Sequence, residues 1–312
     1  MAENDASVEI FVRKAYDSLK EGRPSDALSA LDEALKIDFE HSEVLYALKC
    51  LNWWIENLGG LDDRDDPYGR GLNILSQWKN YYNFLEKIGN NFDSCQYAIR
   101  RFVFSAALEA LKQVQNDGMD RHNPELLLNL GRCYKGIGNY EAASEYLGKA
   151  AGFRREDAAA LSEFADVNAL LGETTAAKAL FREAFYVDPQ AVDINAMESE
   201  LIKNLAAHTR DEGKTGKEIN EWLPVYGILT GVFSVARKLN PLEASKLVQS
   251  VKSLENDLRT NPKNEPELMP RLLNKYLWLM SHYEMNKDKN AVAEIVLKIR
   301  IYDSAIYERY IK

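Results

Sequence analysis

An all-α fold is predicted for this chain by three observations. Apolar residues recur at i, i+3, i+4 and i+7 through almost every segment, which places them on one helical face. The breaks between segments are short stops at Gly, Asn or Pro, and sustained Val/Ile/Thr alternation, the mark of a strand, is missing. The spacing predicts about fourteen helices, near residues 5–20, 24–37, 41–57, 67–88, 92–116, 123–137, 139–152, 156–170, 174–186, 191–211, 216–239, 241–259, 264–285 and 288–311.

The composition is that of an ordinary globular protein: of 312 residues, 46% are hydrophobic and 28% charged, with 17 Gly and 9 Pro. Length alone suggests two domains of about 150 residues each, but a repeat array grows by adding units and escapes that reasoning. The net charge of -9 argues against a nucleic-acid binder, whose affinity comes from neutralising phosphates. Charge is uneven. Residues 237–312 hold 14 Lys and Arg against 10 Asp and Glu, a mildly basic +4, and the rest of the chain carries -13. Cys50, Cys95 and Cys133 are odd in number, far apart and set in apolar helical runs, which reads as buried, reduced thiols. The opening residues hold no basic stretch ahead of an apolar one, and no run of about 18 apolar residues occurs, so a cytoplasmic chain that does not enter the membrane is expected.

Two neighbouring stretches agree at a fixed offset of 34 residues: Leu127 with Leu161, Leu130 with Phe164, Gly131 with Ala165, Gly138 with Gly172, Ala143 with Ala177, Leu147 with Phe181 and Ala150 with Ala184. Both stretches, PELLLNLGRCYKGIGNYEAASEYLGKAA and AAALSEFADVNALLGETTAAKALFREAFYVDP, resemble tetratricopeptide repeats. In that family a large apolar residue, Leu, Gly or Ala, and Tyr mark a first helix, A; Ala, Phe or Leu, and Ala mark a second, B, before a closing Pro. Small residues at Gly131/Ala165 and Ala143/Ala177 let A and B approach closely, where larger side chains would splay them. Leu147 or Phe181 and Ala150 or Ala184 are expected to face the next hairpin, and Pro189 stops the second helix B. A hairpin alone leaves one face bare. The resemblance therefore implies a superhelical solenoid of antiparallel helix pairs, with helix A on the concave side.

From the N-terminus, residues 8–41 fit this template through Phe11, Ala15, Gly22, Ala27, Leu31 and Ala34, with Lys14 and Ser18 where Leu and Tyr are usual. Residues 42–88 keep Leu45 and Leu48, then depart: GGLDDRDDPYGRG is inserted between the two helices, and Gly71, Leu75 and Trp78 take the interface positions of the second. Helix 92–116 reads as a spacer or half-unit, so 42–123 is a degenerate repeat with an inserted loop. Residues 124–190 hold the clearest pairs, and 191–312 hold three long helical pairs that keep the period loosely, as atypical repeats or a cap. One solenoid over 1–312 is the expected organisation.

The chemistry-bearing residues point away from catalysis. His41, His122, His208 and His282 belong to no HExxH, and CxxC, GxSxG, Walker and dinucleotide-glycine patterns are missing. No catalytic set, metal site or cofactor is expected. Asp62, Asp63, Asp65 and Asp66 lack the Gly and Glu of an EF-hand loop and read as a solvated connector whose Asp66, just ahead of Pro67, starts the next helix. Among Trp53, Trp54, Trp78, Tyr81, Tyr82 and Phe84, the i, i+4, i+7 series Trp78, Tyr82 and Leu85 marks a core face. Trp53 and Trp54 are about 100° apart on a helix, so one of them should near the surface as a candidate contact.

The resemblance implies that function lies on helix A, whose positions two, five, six, nine, twelve and thirteen line the concave face in this family. They are Glu125, Leu128, Asn129, Arg132, Lys135 and Gly136 in one unit, and Ala159, Ser162, Glu163, Asp166, Ala169 and Leu170 in the next. Arg132 and Lys135, three residues apart, suit a carboxylate; Glu163 and Asp166 suit a basic group, and Asn129 suits a peptide backbone. The Lys and Asn with which some family members grip a chaperone's C-terminal carboxylate are replaced by Val12 and Tyr16 at positions five and nine of the first helix A. The expected function is a non-catalytic scaffold that binds a protein or peptide partner at Glu125, Leu128, Asn129, Arg132, Lys135, Ser162, Glu163 and Asp166. A small-molecule-binding regulatory subunit with its pocket in 42–116, or a self-assembling homo-oligomeric module, is the alternative.

Overall fold

Helices form where the apolar period is helical, and several begin where a capping side chain meets the first turn, as at Asp66, Asn123, Asp157, Asn240 and Asp288. The computed structural model describes residues 2–59, 66–89, 91–116, 122–154, 156–235, 237–261, 263 and 265–311, and among them are fifteen α-helices and no strand. In chain order these are α1 (Ala2–Lys20), α2 (Pro24–Ile37), α3 (Ser42–Gly59), α4 (Pro67–Ile88), α5 (Asp93–Asn116), α6 (Pro124–Gly136), α7 (Tyr140–Phe153) and α8 (Ala158–Leu170). There follow α9 (Thr174–Val187), α10 (Glu200–Asp211), α11 (Lys217–Leu229), α12 (Pro241–Thr260), α13 (Glu265–Met285), α14 (Lys289–Tyr302) and α15 (Ser304–Ile311). They fall into two compact units, Met1–Ala150 and Ala151–Lys312.

In the first unit α1 pairs with α2, α4 with α5, and α5 also packs on α1 and α6. The expected helix start at Asp66 is present: its carboxylate accepts from the Gly69 amide at 2.8 Å with Pro67 in the first turn. Asp62, Asp63 and Asp65 lie outside the described residues. The core face of α4 differs from expectation by one position. Gly71, Ile74 and Tyr81 are buried, whereas Tyr82 is 39% exposed, meeting the Trp78 ring edge-on at 5.7 Å and accepting from Trp78 Nε1 at 3.3 Å. Tyr81 faces inward because its ring lies against Trp53 and Trp54, both at 5.2 Å, and its hydroxyl accepts from Gln96. Of the tryptophan pair, Trp54 is fully buried and Trp53 is half-buried, stacked on Phe84 at 5.7 Å. Trp53, Trp54, Trp78, Tyr81 and Phe84 thus pack ring against ring.

The close approach expected in the α6–α7 pair is present at Gly131, where a Cβ would lie 2.5 Å from Leu147 Cγ. Leu147, expected to face the next hairpin, seats on Gly131 within its own pair. Tyr134 and Tyr146 stack beside them at 5.2 Å, and Ala143 is buried.

In the second unit α8 pairs with α9, α10 with α11, and α13 packs on α11, α12 and α14. Three helices predicted as continuous are shorter. Residues 191–199 carry no α-helix; two 3-10 turns, Pro189–Ala191 and Ile194–Ala196, lead into α10. Tertiary bonds claim this backbone: Asn220 Nδ2 donates to the carbonyls of Pro189 at 2.8 Å and Val192 at 2.7 Å, and Val192 and Met197 are buried. Helix α11 ends at Leu229 because Phe233 turns back over Gly227, its amide donating to the Gly227 carbonyl at 2.7 Å and its ring buried against Phe185 at 5.9 Å. Gly231, at φ 74°, makes the reversal. The last predicted helix divides at Asp303, which is extended at φ -150° and caps α15 by accepting from the Ile306 amide at 3.0 Å.

Replacing Gly131 by Leu is expected to destabilise the protein by about 1–3 kcal/mol, since the new side chain must displace Leu147 from between two packed helices. Urea unfolding measures this, and an unchanged midpoint would contradict the packing.

Candidate functional site

The expected partner face on α6 is only partly open. Asn123 caps the helix, its side chain accepting from the amides of Glu125 at 3.0 Å and Leu126 at 3.2 Å, so the register of the face is fixed at its first turn. Glu125 is exposed and Arg132 half-exposed. Leu128, Asn129 and Lys135 are buried, at 8%, 5% and 4% exposure. The Asn129 side-chain oxygen accepts from Arg132 Nη1 at 3.4 Å, which takes the bond reserved for a peptide backbone. Arg132 and Lys135 do not form an exposed cationic pair, and the Lys135 carbonyl accepts from Arg100 Nη2 at 3.2 Å.

On α8 the polar stripe is interior. Ser162, Glu163 and Asp166 are 1%, 2% and 0% exposed. Ser162 Oγ donates back to the Ala159 carbonyl at 3.1 Å, a local bond within its own turn. Asp166 accepts from the amides of Glu198 and Ser199, both at 2.9 Å, at the start of α10. A buried carboxylate needs donors, and the two amides just ahead of α10 supply them. Asp166 therefore fixes the entry to α10 from another helix. Sequence spacing places these residues on one face correctly and does not show that the segment 189–199 returns to cover it.

The corresponding face of the first helix pair is open. A groove of about 1270 Å³ runs along α1 and is lined also by α2, α5, His41 and Glu43. Glu9, Val12, Arg13, Tyr16 and Lys20, five of its lining residues, stand at positions two, five, six, nine and thirteen of this helix A. Tyr16 donates its hydroxyl proton to Glu43 Oε1 at 2.8 Å. Burial first, then the neighbouring Cys95 and Glu43, push the Tyr16 phenol above its ordinary value, so it remains a neutral donor. Lys20 reaches Asp17 at 2.9 Å and lies over the Tyr97 ring at 5.9 Å. Two apolar side chains are left in water here, Ile10 at 67% and Tyr97 at 50% exposure. Val12 and Tyr16 at its clamp positions give this face no binding signature in the sequence.

The four histidines stand apart in local roles. His41 Nδ1 accepts from the Val44 amide at 3.4 Å, His208 lies 3.9 Å from Glu212, and His282 shares a 3.1 Å hydrogen bond with Asn286. His122 is exposed ahead of α6. Among the described residues no group of three His, Cys, Asp or Glu side chains is placed to hold a metal ion, and no helix is long and apolar enough to cross a membrane.

The model of the tetratricopeptide repeat family matches residues 104–167, which span the second half of α5, the α6–α7 pair and most of α8. The match agrees with the resemblance carried by 124–190, and repeats of this family generally mediate protein–protein interaction. No curated protein matches the chain.

Substituting Asp166 by Ala should cost about 2 kcal/mol, because it removes the acceptor of two amides, one of them buried, at the entry to α10. Chemical denaturation reads the loss; a change under about 0.5 kcal/mol, the range of an ordinary surface substitution, would show that the carboxylate does not organise this part of the unit.

Proposed function

We propose that the chain is a non-catalytic interaction scaffold of the cytoplasm, and that its α1 groove receives a peptide segment of a partner protein. The observation that carries this reading is the openness of the α1 face. Of the helix positions that line the working surface of tetratricopeptide repeats, Glu9 and Arg13 are exposed and Lys20 half-exposed on the groove wall here, with Val12 and Tyr16 buried as its floor, whereas on α8 Ser162, Glu163 and Asp166 are all interior. Exposed Ile10 and Tyr97 provide apolar anchors, and Glu9, Arg13, Asp17 and Lys20 surround them with both signs of charge. Such a wall suits a segment that presents an apolar side chain flanked by mixed charges. Of the residues expected to contact a partner, Glu125 and Arg132 remain at the surface and extend the proposal to α6. The buried free thiols Cys50, Cys95 and Cys133 fit a reducing compartment.

The test uses a partner identified by pull-down and mass spectrometry. The double variant Ile10→Asp, Tyr97→Ala is expected to bind it at least about tenfold more weakly, or about 1.4 kcal/mol, with helix content unchanged. A partner bound as tightly by that variant as by the parent protein would place the working surface elsewhere.

A further inference from the structure

A second cavity, of about 730 Å³, lies within the second unit and is built from α8, α9, α12 and α13. Its apolar lining comes from Leu161, Leu180, Val187, Val235 and Trp278. Its size falls in the range of about 300–1,000 Å³ usual for small-molecule sites, which are mostly apolar with a few placed polar groups.

Lys275 is the polar group that matters. It is half-buried at the cavity wall, with its ammonium 4.8 Å from the Tyr186 ring centroid. Among the described residues no carboxylate lies within ion-pair distance of it. The neighbouring cation, Arg271, already holds Glu221 and Glu267, each at 2.7 Å. Burial, then the charge of Arg271, pull the Lys275 ammonium below the ordinary lysine value, as expected of a cation that has lost water without gaining an anion. The aromatic face of Tyr186 offsets only part of that cost.

Two of the three acids of the cavity wall are held by Arg237, which stands on the same wall. Arg237 grips Glu183 through Nε and Nη2, both at 2.8 Å, and Glu243 through Nη1 at 2.9 Å. Glu243 also accepts from the Asn240 amide at 2.8 Å as part of the α12 capping box. The charged lining balances, Arg237, Lys246 and Lys275 against Glu156, Glu183 and Glu243, and the preference for an anion is local to Lys275, the desolvated cation among them that no carboxylate pairs.

We propose that this cavity binds a small amphiphilic carboxylate, its carboxylate paired with Lys275 and its aliphatic body against Leu161, Leu180, Val187 and Val235. No bond is made or broken; the ligand completes the desolvated cation and fills apolar space. The site is separate from the α1 groove, so failure of either reading leaves the other standing.

The experiment is calorimetric titration of the full chain with decanoate and, as the uncharged control, decanol. Decanoate is expected to bind at least tenfold more tightly than decanol at neutral pH. The variant Lys275→Met, which keeps the apolar stem and removes the charge, is expected to reduce decanoate to the level of decanol while leaving decanol binding unchanged. Raising the pH through the lowered lysine value should weaken decanoate and spare decanol, because the ammonium loses its charge there while the carboxylate is already ionised. Equal binding of decanoate and decanol by the parent protein, binding of neither at millimolar concentration, or full decanoate affinity in Lys275→Met overturns the proposal. The comparison on the parent protein decides the matter even if the variant fails to fold.

Discussion

A carboxylate cannot be taken out of water without donors, and Asp166 meets that requirement with two amides from the start of α10. Much of the second unit follows from this. The amides of Glu198 and Ser199 turn toward α8, so residues 189–199 cross the helix-A face as short 3-10 turns instead of beginning a long helix. Asn220 ties the same segment to α11 through two carbonyls, and the Gln190 side chain donates to Glu221 at 2.7 Å. Glu221, itself 2% exposed, receives both a 2.8 Å and a 2.7 Å bond from Arg271 of α13. One chain of polar contacts thus runs from the turns to α11 and on to α13, and the helix-A face of α8 meets its own chain.

Close packing sets the rest. Leu147 on Gly131 and Phe233 on Gly227 are the same device used for different ends: the first brings two helices together, and the second ends a helix by folding the following residues back over it. Where Phe233 settles, Arg182 is buried with it, donating to the Phe233 carbonyl at 3.2 Å and to Ser281 Oγ at 2.7 Å, with its guanidinium 4.8 Å from the Trp278 ring. Burial lowers that arginine to about 10, a cost met by hydrogen bonds and an aromatic face in place of a carboxylate.

Most helices were legible because burial on one face imposes its own period on the residues. The bounds of α2, α4 and α6 through α9 follow from that period and from stops such as Gly172 and Pro189. What the period could not show is where a polar residue finds its partner. Asp166 and Glu163 look like solvent-facing charge on a helix, and only the return of residues 198 and 199 makes Asp166 interior. In α4 the choice between Tyr81 and Tyr82 depends on the rings of Trp53 and Trp54, more than twenty residues away in sequence. The α1 face carried its helix-A positions plainly, but its openness is a property of the packing of α1 against α2 and α5, which no local pattern records.

The claim that the α8 face is sealed by its own chain is tested most directly by native-state hydrogen exchange at the Glu198 and Ser199 amides. Both precede the first turn of α10 and donate to the Asp166 carboxylate, so their protection reports on that contact. The account predicts exchange slowed by at least about a hundredfold relative to an unstructured peptide, as for a buried hydrogen bond that opens only with local unfolding. Exchange of both amides at the unprotected rate would contradict it and return the α8 face to the surface.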